Sequence, residues 1–150
     1  MYRTTYDSPL GRLLITEKED RIVRINWGDG PSDRTALLEE ACRQIDAYFA
    51  SKLRQFDLPV RATGDSFQDA VNSAMSAIPF GETRTYGDIA KQVGSAPQPI
   101  GQACGNNCVS IVIPCHRVVG ADGLGGFSAP GGIETKVALL RHEGAYGLLI

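Results

Sequence analysis

A short apolar run in the last third of the chain leads into two residues that can do chemistry together. Ile111-Val112-Ile113 is followed by Pro114, Cys115 and His116. A thiol is a weak nucleophile until it loses its proton, and a nearby imidazole can take that proton. Adjacent residues on an extended segment point apart, so His116 would need a turn or a water to reach the sulfur. The dipeptide alone therefore favours a buried cysteine beside a surface histidine.

The composition is that of an ordinary globular protein. The chain has 150 residues, of which 43% are hydrophobic and 21% charged, which argues against disorder, collagen-like repeats and coiled coil. No apolar run approaches the roughly 20 residues of a membrane span, and the first residues lack the apolar region of a secretory signal. We therefore expect a cytoplasmic protein that does not associate with membranes.

Four cysteines, at positions 42, 104, 108 and 115, make an even count. Thiols in the cytoplasm are normally reduced, so we expect no disulfides. The spacing of Cys104 and Cys108 is tolerable for a metal, but no second pair of ligands follows at a suitable distance. We predict no metal site.

The charge balance limits the partners of the protein. The formal net charge is −2. A sequence-specific DNA-binding protein usually has a basic footprint, and this chain has none that the sequence reveals. Any affinity for nucleic acid should therefore have a modest electrostatic component.

Residues 1–62 are predicted to form an α/β lobe. The patterns indicate strands over 2–6, 12–16 and 22–27, with a charged hairpin tip between the last two. Ser32 is predicted to cap a helix that ends near Ala50. Residues 52–65 are predicted to be irregular and to connect this lobe to the next.

Residues 63–150 are predicted to form a mainly helical lobe. A helix over 66–78 begins at Asp65 or Ser66, and Thr85 with Asp88 makes a capping box for a short helix that ends at Gly94. A second short helix follows over 98–105, so the pair has a helix-turn-helix pattern. The last helix is predicted over 133–143, with Ile133, Val137 and Leu140 facing inward.

Beyond the dipeptide, several segments together resemble one family. Pro114-Cys115-His116-Arg117, with Tyr86, Asn107, the loop 125–128 and the tail 139–144, resembles the O6-alkylguanine-DNA alkyltransferases, also called methylated-DNA–protein-cysteine methyltransferases. The similarity is dense from about Phe67 to Gly144, whereas residues 1–60 fit only in pattern. It implies an α+β protein with a ribonuclease-H-like N-terminal lobe and a helical, winged-helix-like C-terminal lobe.

The resemblance also implies a reaction. The thiolate of Cys115 attacks the alkyl carbon on O6 of a damaged guanine, and O4-alkylthymine is implied as a second substrate. The thioether is permanent, so each molecule acts once and needs no cofactor. By motif position, His116 is the water-assisted base, Glu143 holds the far nitrogen of its ring, Tyr86 supplies a proton toward guanine N3, and Asn107 supports the active-site turn.

Other positions of the family pattern are implied to bind the base or the DNA. The flipped base would be bound by Val118, Ser128, Phe127 and Lys136. A recognition helix in the minor groove of double-stranded DNA would use Gln98, Pro99, Gln102, Gly105 and Asn106. The target atom is inaccessible inside a duplex, so the nucleotide must be flipped out. The protein is expected to act as a monomer.

Two positions depart from the family pattern. Gln98 stands where the family has an arginine that fills the gap in the base stack, and glutamine brings neither charge nor guanidinium stacking. The segment 127–132 is about two residues longer than the family loop. The first departure predicts weaker DNA binding, or else a flipped state that is stabilised by Gln98, Pro97 or Pro99. The second predicts a reshaped alkyl pocket.

Two other functions compete with alkyl transfer. A non-enzymatic protein that binds alkylated DNA and recruits other repair would resemble this family, but such proteins carry tryptophan where this chain has Cys115. A helix-turn-helix transcription regulator would need a basic recognition helix, and the stretch from Gln98 to Asn107 is neutral.

Overall fold

The computed structural model describes residues 1–147, which divide into two compact units. One unit contains residues 1–63 and 108–110, and the other contains 64–107 and the residues from Ile111 onward. The α+β class is confirmed, because a three-stranded antiparallel sheet with a helix is followed by a mainly helical unit. Among the described residues, no helix has the length and apolar character needed to cross a membrane.

Three strands form the sheet of the first unit. They are β1 (Tyr2–Ser8), β2 (Gly11–Lys18) and β3 (Arg21–Trp27), and they pair antiparallel in chain order. Each of the first two is longer than the sequence pattern predicted. The turn from β2 to β3 is made by Glu19 and Asp20, both with positive φ, as a tight hairpin turn requires.

Helix α1 (Ala36–Phe49) packs on one face of this sheet. The core beneath it is apolar and consists of Leu13, Ile15, Ile22, Ile25, Leu38, Ala41, Ile45 and Tyr48. The predicted cap at Ser32 is wrong. Thr35 caps the helix, since its hydroxyl accepts the Leu38 N–H at 3.0 Å and donates to the carboxylate of Glu17. Glu17 is buried and needs a donor, which a cap at Thr35 supplies.

Two irregular segments hydrogen-bond to the outer edge of β3. The N–H of Ile22 bonds to the Pro59 carbonyl at 2.8 Å, and the N–H of Ile25 bonds to the Cys108 carbonyl at 3.0 Å. Ser110 completes the second contact by donating to the Ile25 carbonyl at 3.1 Å. These bonds satisfy backbone groups that an open sheet edge would expose.

The second unit contains the four helices α2 (Ser66–Ser76), α3 (Tyr86–Val93), α4 (Pro97–Gly105) and α5 (Ile133–His142), and the two short parallel strands β4 (Arg84–Thr85) and β5 (Val118–Val119). The predicted capping box of Thr85 and Asp88 is confirmed, and so is the left-handed Gly94 that ends α3. Helices α3 and α4 pack together as the helix-turn-helix pattern predicted.

Three local predictions for this unit are wrong. Ile111 has φ 73° and starts a turn, so the apolar run before Cys115 is not a strand, and residues 115–117 form a single 3-10 turn. Ile133 is 42% exposed rather than inward, whereas the predicted burial of Leu140 is confirmed and Leu139 is buried beside it. Helix α5 also ends at His142, which leaves Glu143 as its C-cap.

Candidate active site

Cys115 lies at the start of the 3-10 turn, with its side chain buried. Burial raises the pKa of the thiol above its ordinary value. A hydrogen bond from the Asn107 side chain, the charge of Lys136 and the N–H groups of Cys115 and His116 act in the opposite direction and reduce this rise. The thiol is therefore protonated at neutral pH but surrounded by groups that stabilise a thiolate, so it needs a base.

The next residue, His116, is fully buried. Its Nε2 lies 2.8 Å from Oε2 of Glu143. Burial lowers the pKa of His116, against the opposing effect of Glu143, so the ring is neutral at pH 7. A neutral imidazole whose Nε2–H faces a carboxylate has its lone pair on Nδ1. That Nδ1 is buried and has no hydrogen-bond partner among residues 1–147.

Glu143 is kept ionised by two neighbours. Burial raises the pKa of its carboxyl group, but hydrogen bonds from His116 and Arg117 outweigh burial and hold the pKa well below its usual range. Arg117 binds the carboxylate in a bidentate manner, with Nε donating to Oε1 at 2.8 Å and Nη2 donating to Oε2 at 2.9 Å. The carboxylate is thus fixed in the orientation that holds the His116 ring.

Arg117 is the residue that the sequence prediction missed as part of the site. Its Nη1 donates to the Ile78 carbonyl at 2.7 Å, and its guanidinium lies 5.9 Å from the ring centroid of Phe80. The only signal in the sequence was its place directly after the Cys-His pair. Its partner Glu143 is 26 residues away in the chain, so the ion pair was not visible locally.

Tyr86 reaches the site because of the parallel strand pair. Thr85 in β4 pairs with Val119 in β5, which places the start of α3 beside the segment that follows Cys115. The backbone N–H of Gly126 donates to the Tyr86 oxygen. The hydroxyl proton of Tyr86 is therefore free to be donated to a ligand.

Lys136 is fully buried between the same elements. Its Nζ donates to the Val118 carbonyl at 2.6 Å and to the Gly126 carbonyl at 3.2 Å, and it lies 5.7 Å from the Tyr86 ring centroid. Burial lowers the pKa of Lys136 to about 8. Within residues 1–147 it forms no ion pair, so its charge acts on Cys115 rather than being neutralised by an acid.

The loop after β5 packs directly on Tyr86. Gly125 has φ 74°, and a Cβ there would lie 2.5 Å from the Tyr86 oxygen. Phe127 is half-buried, while Ser128 is exposed with its Oγ 3.4 Å from the Gly105 carbonyl. The loop thus runs from Tyr86 to the end of α4.

Helix α4 connects the thiol to an exposed polar surface. Just beyond its end, Asn107 donates from Nδ2 to the Ile113 carbonyl at 2.8 Å and also binds the Cys115 thiol. The side of α4 that faces away from the core is uncharged and carries Gln98, Gln102, Gly105 and Asn106, with Pro99 half-buried. These five predicted DNA contacts are therefore not part of the cluster around the thiol.

Of the other three thiols, only Cys104 lies near enough to interact electrostatically with Cys115 and Lys136. Cys104 is buried in the second unit with its sulfur 3.6 Å from that of Met75. Cys108 belongs to the first unit, where its sulfur lies 3.6 Å from the Val23 carbonyl. Cys42 is half-buried on α1.

The fold and the site define a class of protein, in which a buried cysteine next to a histidine–glutamate pair is carried by a helix-turn-helix unit. Residues 66–145 match the family described as 6-O-methylguanine DNA methyltransferase, DNA binding domain, and residues 1–62 match the ribonuclease-like domain of the same family. The chain therefore belongs to the 6-O-methylguanine DNA methyltransferases, which are DNA-binding enzymes that repair DNA by alkyl transfer.

Full-length relatives and solved structures agree with this assignment. The chain is 38% identical to a methylated-DNA–protein-cysteine methyltransferase of Methanosarcina acetivorans, with 97% of this chain and 99% of the relative covered. It is 40% identical to the constitutive enzyme of Bacillus subtilis, covering 95% and 94%. The O6-methylguanine methyltransferase of Mycobacterium tuberculosis superimposes with a TM-score of 0.86 at 36% identity, covering 95% and 92%. The structure of Mycobacterium tuberculosis OGT in complex with DNA gives 0.85 at 36%, covering 95% and 93%.

Proposed function

We propose that this protein repairs O6-alkylguanine in double-stranded DNA by moving the alkyl group to Cys115. The observation that carries the proposal concerns His116, whose Nδ1 is buried without a hydrogen-bond partner in the described part of the chain while its Nε2 is held by Glu143. A neutral imidazole in this state is a base, and the adjacent residue is a thiol that Asn107 also contacts. Arg117 acts as the positioning residue for Glu143.

The transfer is an in-line displacement. The thiol proton passes through a water to Nδ1 of His116, and Glu143 stabilises the imidazolium. The sulfur–carbon bond forms as the bond between carbon and O6 breaks. Tyr86 donates a proton to N3 of the departing guanine and regains one from the imidazolium through solvent. In net, one proton moves from the thiol to the guanine, and His116 and Tyr86 return to their starting states. The thioether stays on Cys115, and each molecule reacts once without a cofactor.

Groups around the thiol position the flipped base. The Val118 carbonyl accepts one hydrogen bond from Lys136, and its second lone pair is available to the amino edge of guanine. Ser128 and Phe127 lie on the loop beyond and approach O6 and the ring. The same geometry would serve O4-alkylthymine, which presents an alkylated oxygen in a similar place.

Helix α4 is proposed to enter the minor groove with its exposed polar side. Gln98 stands at its first turn and hydrogen-bonds the orphaned base, supported by Pro99. Gln102, Gly105 and Asn106 follow along the groove. The protein is proposed to act as a monomer in the cytoplasm.

The proposal is tested by incubating the protein with a duplex that contains one O6-methylguanine. Intact-mass measurement with peptide mapping should find one added methyl group on Cys115 and none in C115A. The control C42A, which alters a half-buried thiol of the first unit, should be methylated normally. An unmodified protein that still binds the lesion would instead make it a non-enzymatic damage-recognition protein.

A further inference from the structure

The sheet of the first unit has one face that α1 leaves uncovered. Tyr6 on β1 donates to Asp46 of α1 at 2.8 Å, and Glu17 on β2 binds Thr35 at the start of α1, so these side chains mark the covered face. Side chains alternate along a strand. Arg3 and Lys18 therefore project from the opposite face.

Four cations lie together on this uncovered face. Arg3 and Arg24 are both paired with Thr16, on either side of it, and Lys18 is paired with Arg21. All four are exposed, and we call them the basic sheet face. Strand spacing separates Arg3 from Arg24 by about 10 Å, and the two rows lie about 7 Å apart.

The acidic residues of the sheet do not neutralise these cations. Asp7, on the same face, binds Arg12 at 2.8 Å, and Glu19 binds Arg61 at 3.3 Å. Glu17 faces α1, and Asp20 lies in the hairpin turn. Within residues 1–147, the side chains of Arg3, Lys18, Arg21 and Arg24 form no ion pair. Their charge is therefore available to an external anion.

The second unit is poor in the charge that DNA binding needs. Residues 64–150 contain five Lys and Arg against seven Asp and Glu. Two of the five, Arg117 and Lys136, are buried at the site, and Arg84 is bound to Glu82 at 3.1 Å. Affinity for duplex DNA comes largely from neutralising phosphates, and the exposed side of α4 offers no cation to do so.

We propose that the basic sheet face binds the phosphate backbone of DNA and supplies electrostatic affinity that the helix-turn-helix lacks. This inference rests on the proposed function, because it takes DNA as the substrate. A strand of duplex DNA carries one phosphate per 3.4 Å of axis. A patch about 10 Å wide therefore meets two or three phosphates of one strand.

The test is the salt dependence of binding to a duplex that contains O6-methylguanine. The variant R3Q/K18Q/R21Q/R24Q removes the basic sheet face, and the control R34Q/R43Q/K52Q/R54Q removes the same charge from α1 and the segments on either side of it. Each phosphate contact contributes about 0.9 to the slope of log affinity against log salt. In the face variant the slope should become shallower by about 2–3, as expected for two or three lost phosphate contacts. Its affinity at low salt should fall at least tenfold, while the control stays near wild type.

Equal slopes in the face variant and wild type would overturn the proposal, and so would an equal loss in both variants. If the quadruple variant does not fold, the four single variants decide, and each contacting residue should lower the slope by about 0.9. Alkyl transfer from the free base O6-methylguanine is measured in parallel and should be unchanged in both variants. A wild-type protein that fails to methylate Cys115 would refute the proposed function. The salt slopes of wild type and face variant would still test whether the basic sheet face binds DNA.

Discussion

The two units of this protein differ in the ion pairs that they bury. In the first unit the ion pairs lie on the surface, such as Arg12 with Asp7, whose side chains are 48% and 75% exposed. In the second unit Arg117 and Glu143 are 7% and 0% exposed, and Lys136 is buried without an acid among the described residues. Charges in an interior lower stability unless they are paired well. The second unit keeps them around Cys115, where they can act on the reaction.

The largest expected effect comes from replacing one paired arginine with methionine in each unit and comparing the two losses of stability. R117M removes the two hydrogen bonds that Arg117 makes to the buried carboxylate of Glu143, and we expect a loss of about 3–5 kcal/mol in the free energy of unfolding. R12M removes exposed pairs with Asp7 and Asp29, and we expect a much smaller loss, because exposed ion pairs contribute little to stability. Urea denaturation measures both.

A double variant shows what the buried pair is for. R117M/E143M replaces both charges with apolar side chains, so we expect it to recover most of the stability lost in R117M. It should remain inactive in alkyl transfer, because His116 has lost the carboxylate that orients it. Equal destabilisation by R12M and R117M would remove the contrast between the units.

Lys136 gives the next largest effect, and its sign depends on pH. Its pKa is lowered to about 8 from 10.5, so the unfolded chain binds the proton more tightly and the buried lysine destabilises the fold at pH 7. A shift of this size corresponds to at most about 3 kcal/mol. K136M removes that cost, although two carbonyls lose a donor.

The wild-type protein should therefore gain stability relative to K136M as the pH rises from 8 to 10. Unfolding free energies measured at several pH values check this, with K136R as the variant that keeps the charge. Alkyl transfer should fall in K136M, because Cys115 loses the neighbouring cation. Parallel pH curves for wild type and K136M would mean that Lys136 carries its usual pKa.

Substitutions of two glycines with positive φ, one in each unit, should have smaller effects. G125A and G11A both force a side chain into a left-handed or otherwise strained backbone, at about 1–3 kcal/mol. The new Cβ meets the Tyr86 oxygen at 2.5 Å in one case and the Trp27 ring at 3.3 Å in the other. Only G125A should slow alkyl transfer in folded protein. The rate should fall roughly tenfold if the activation free energy rises by about one kcal/mol or slightly more. Single-turnover rates measure this, and an equal slowing by G11A would contradict it.

The smallest expected effect is a gain in DNA affinity. Q98R adds a guanidinium to the exposed first turn of α4, and we expect a few-fold tighter binding to damaged duplex and about 0.9 more salt slope. Q55R adds the same charge in the first unit and serves as the control. Unchanged or weaker binding by Q98R would show that the missing arginine does not limit affinity.

Sequence patterns predicted those features whose causes are local. Thr85 and Asp88 are three residues apart and cap each other, and Gly94 takes the left-handed conformation that ends α3. Cys115 and His116 are adjacent, so the sequence itself brings a thiol and an imidazole together. The family resemblance added Glu143, which lies far away in the chain.

Features set by distant partners were not predictable in this way. Spacing alone favours an exposed helical lysine at 136, yet carbonyls of Val118 and Gly126 draw it inside. Arg117 is buried because its guanidinium bonds to Glu143 and to the carbonyl of Ile78, just after α2. Thr35 rather than Ser32 caps helix α1, because the Thr35 hydroxyl donates to Glu17, a residue of β2 that is distant in the chain.

The distance in the chain between His116 and Glu143 also has a consequence for synthesis. The carboxylate that completes the base is made 27 residues after the histidine it orients. Ribosomes add residues from the N-terminus onward, so in a growing chain the thiol and the imidazole exist before the carboxylate does. On the proposed function, a protein that is consumed by a single reaction would therefore stay unreactive until its second unit can close.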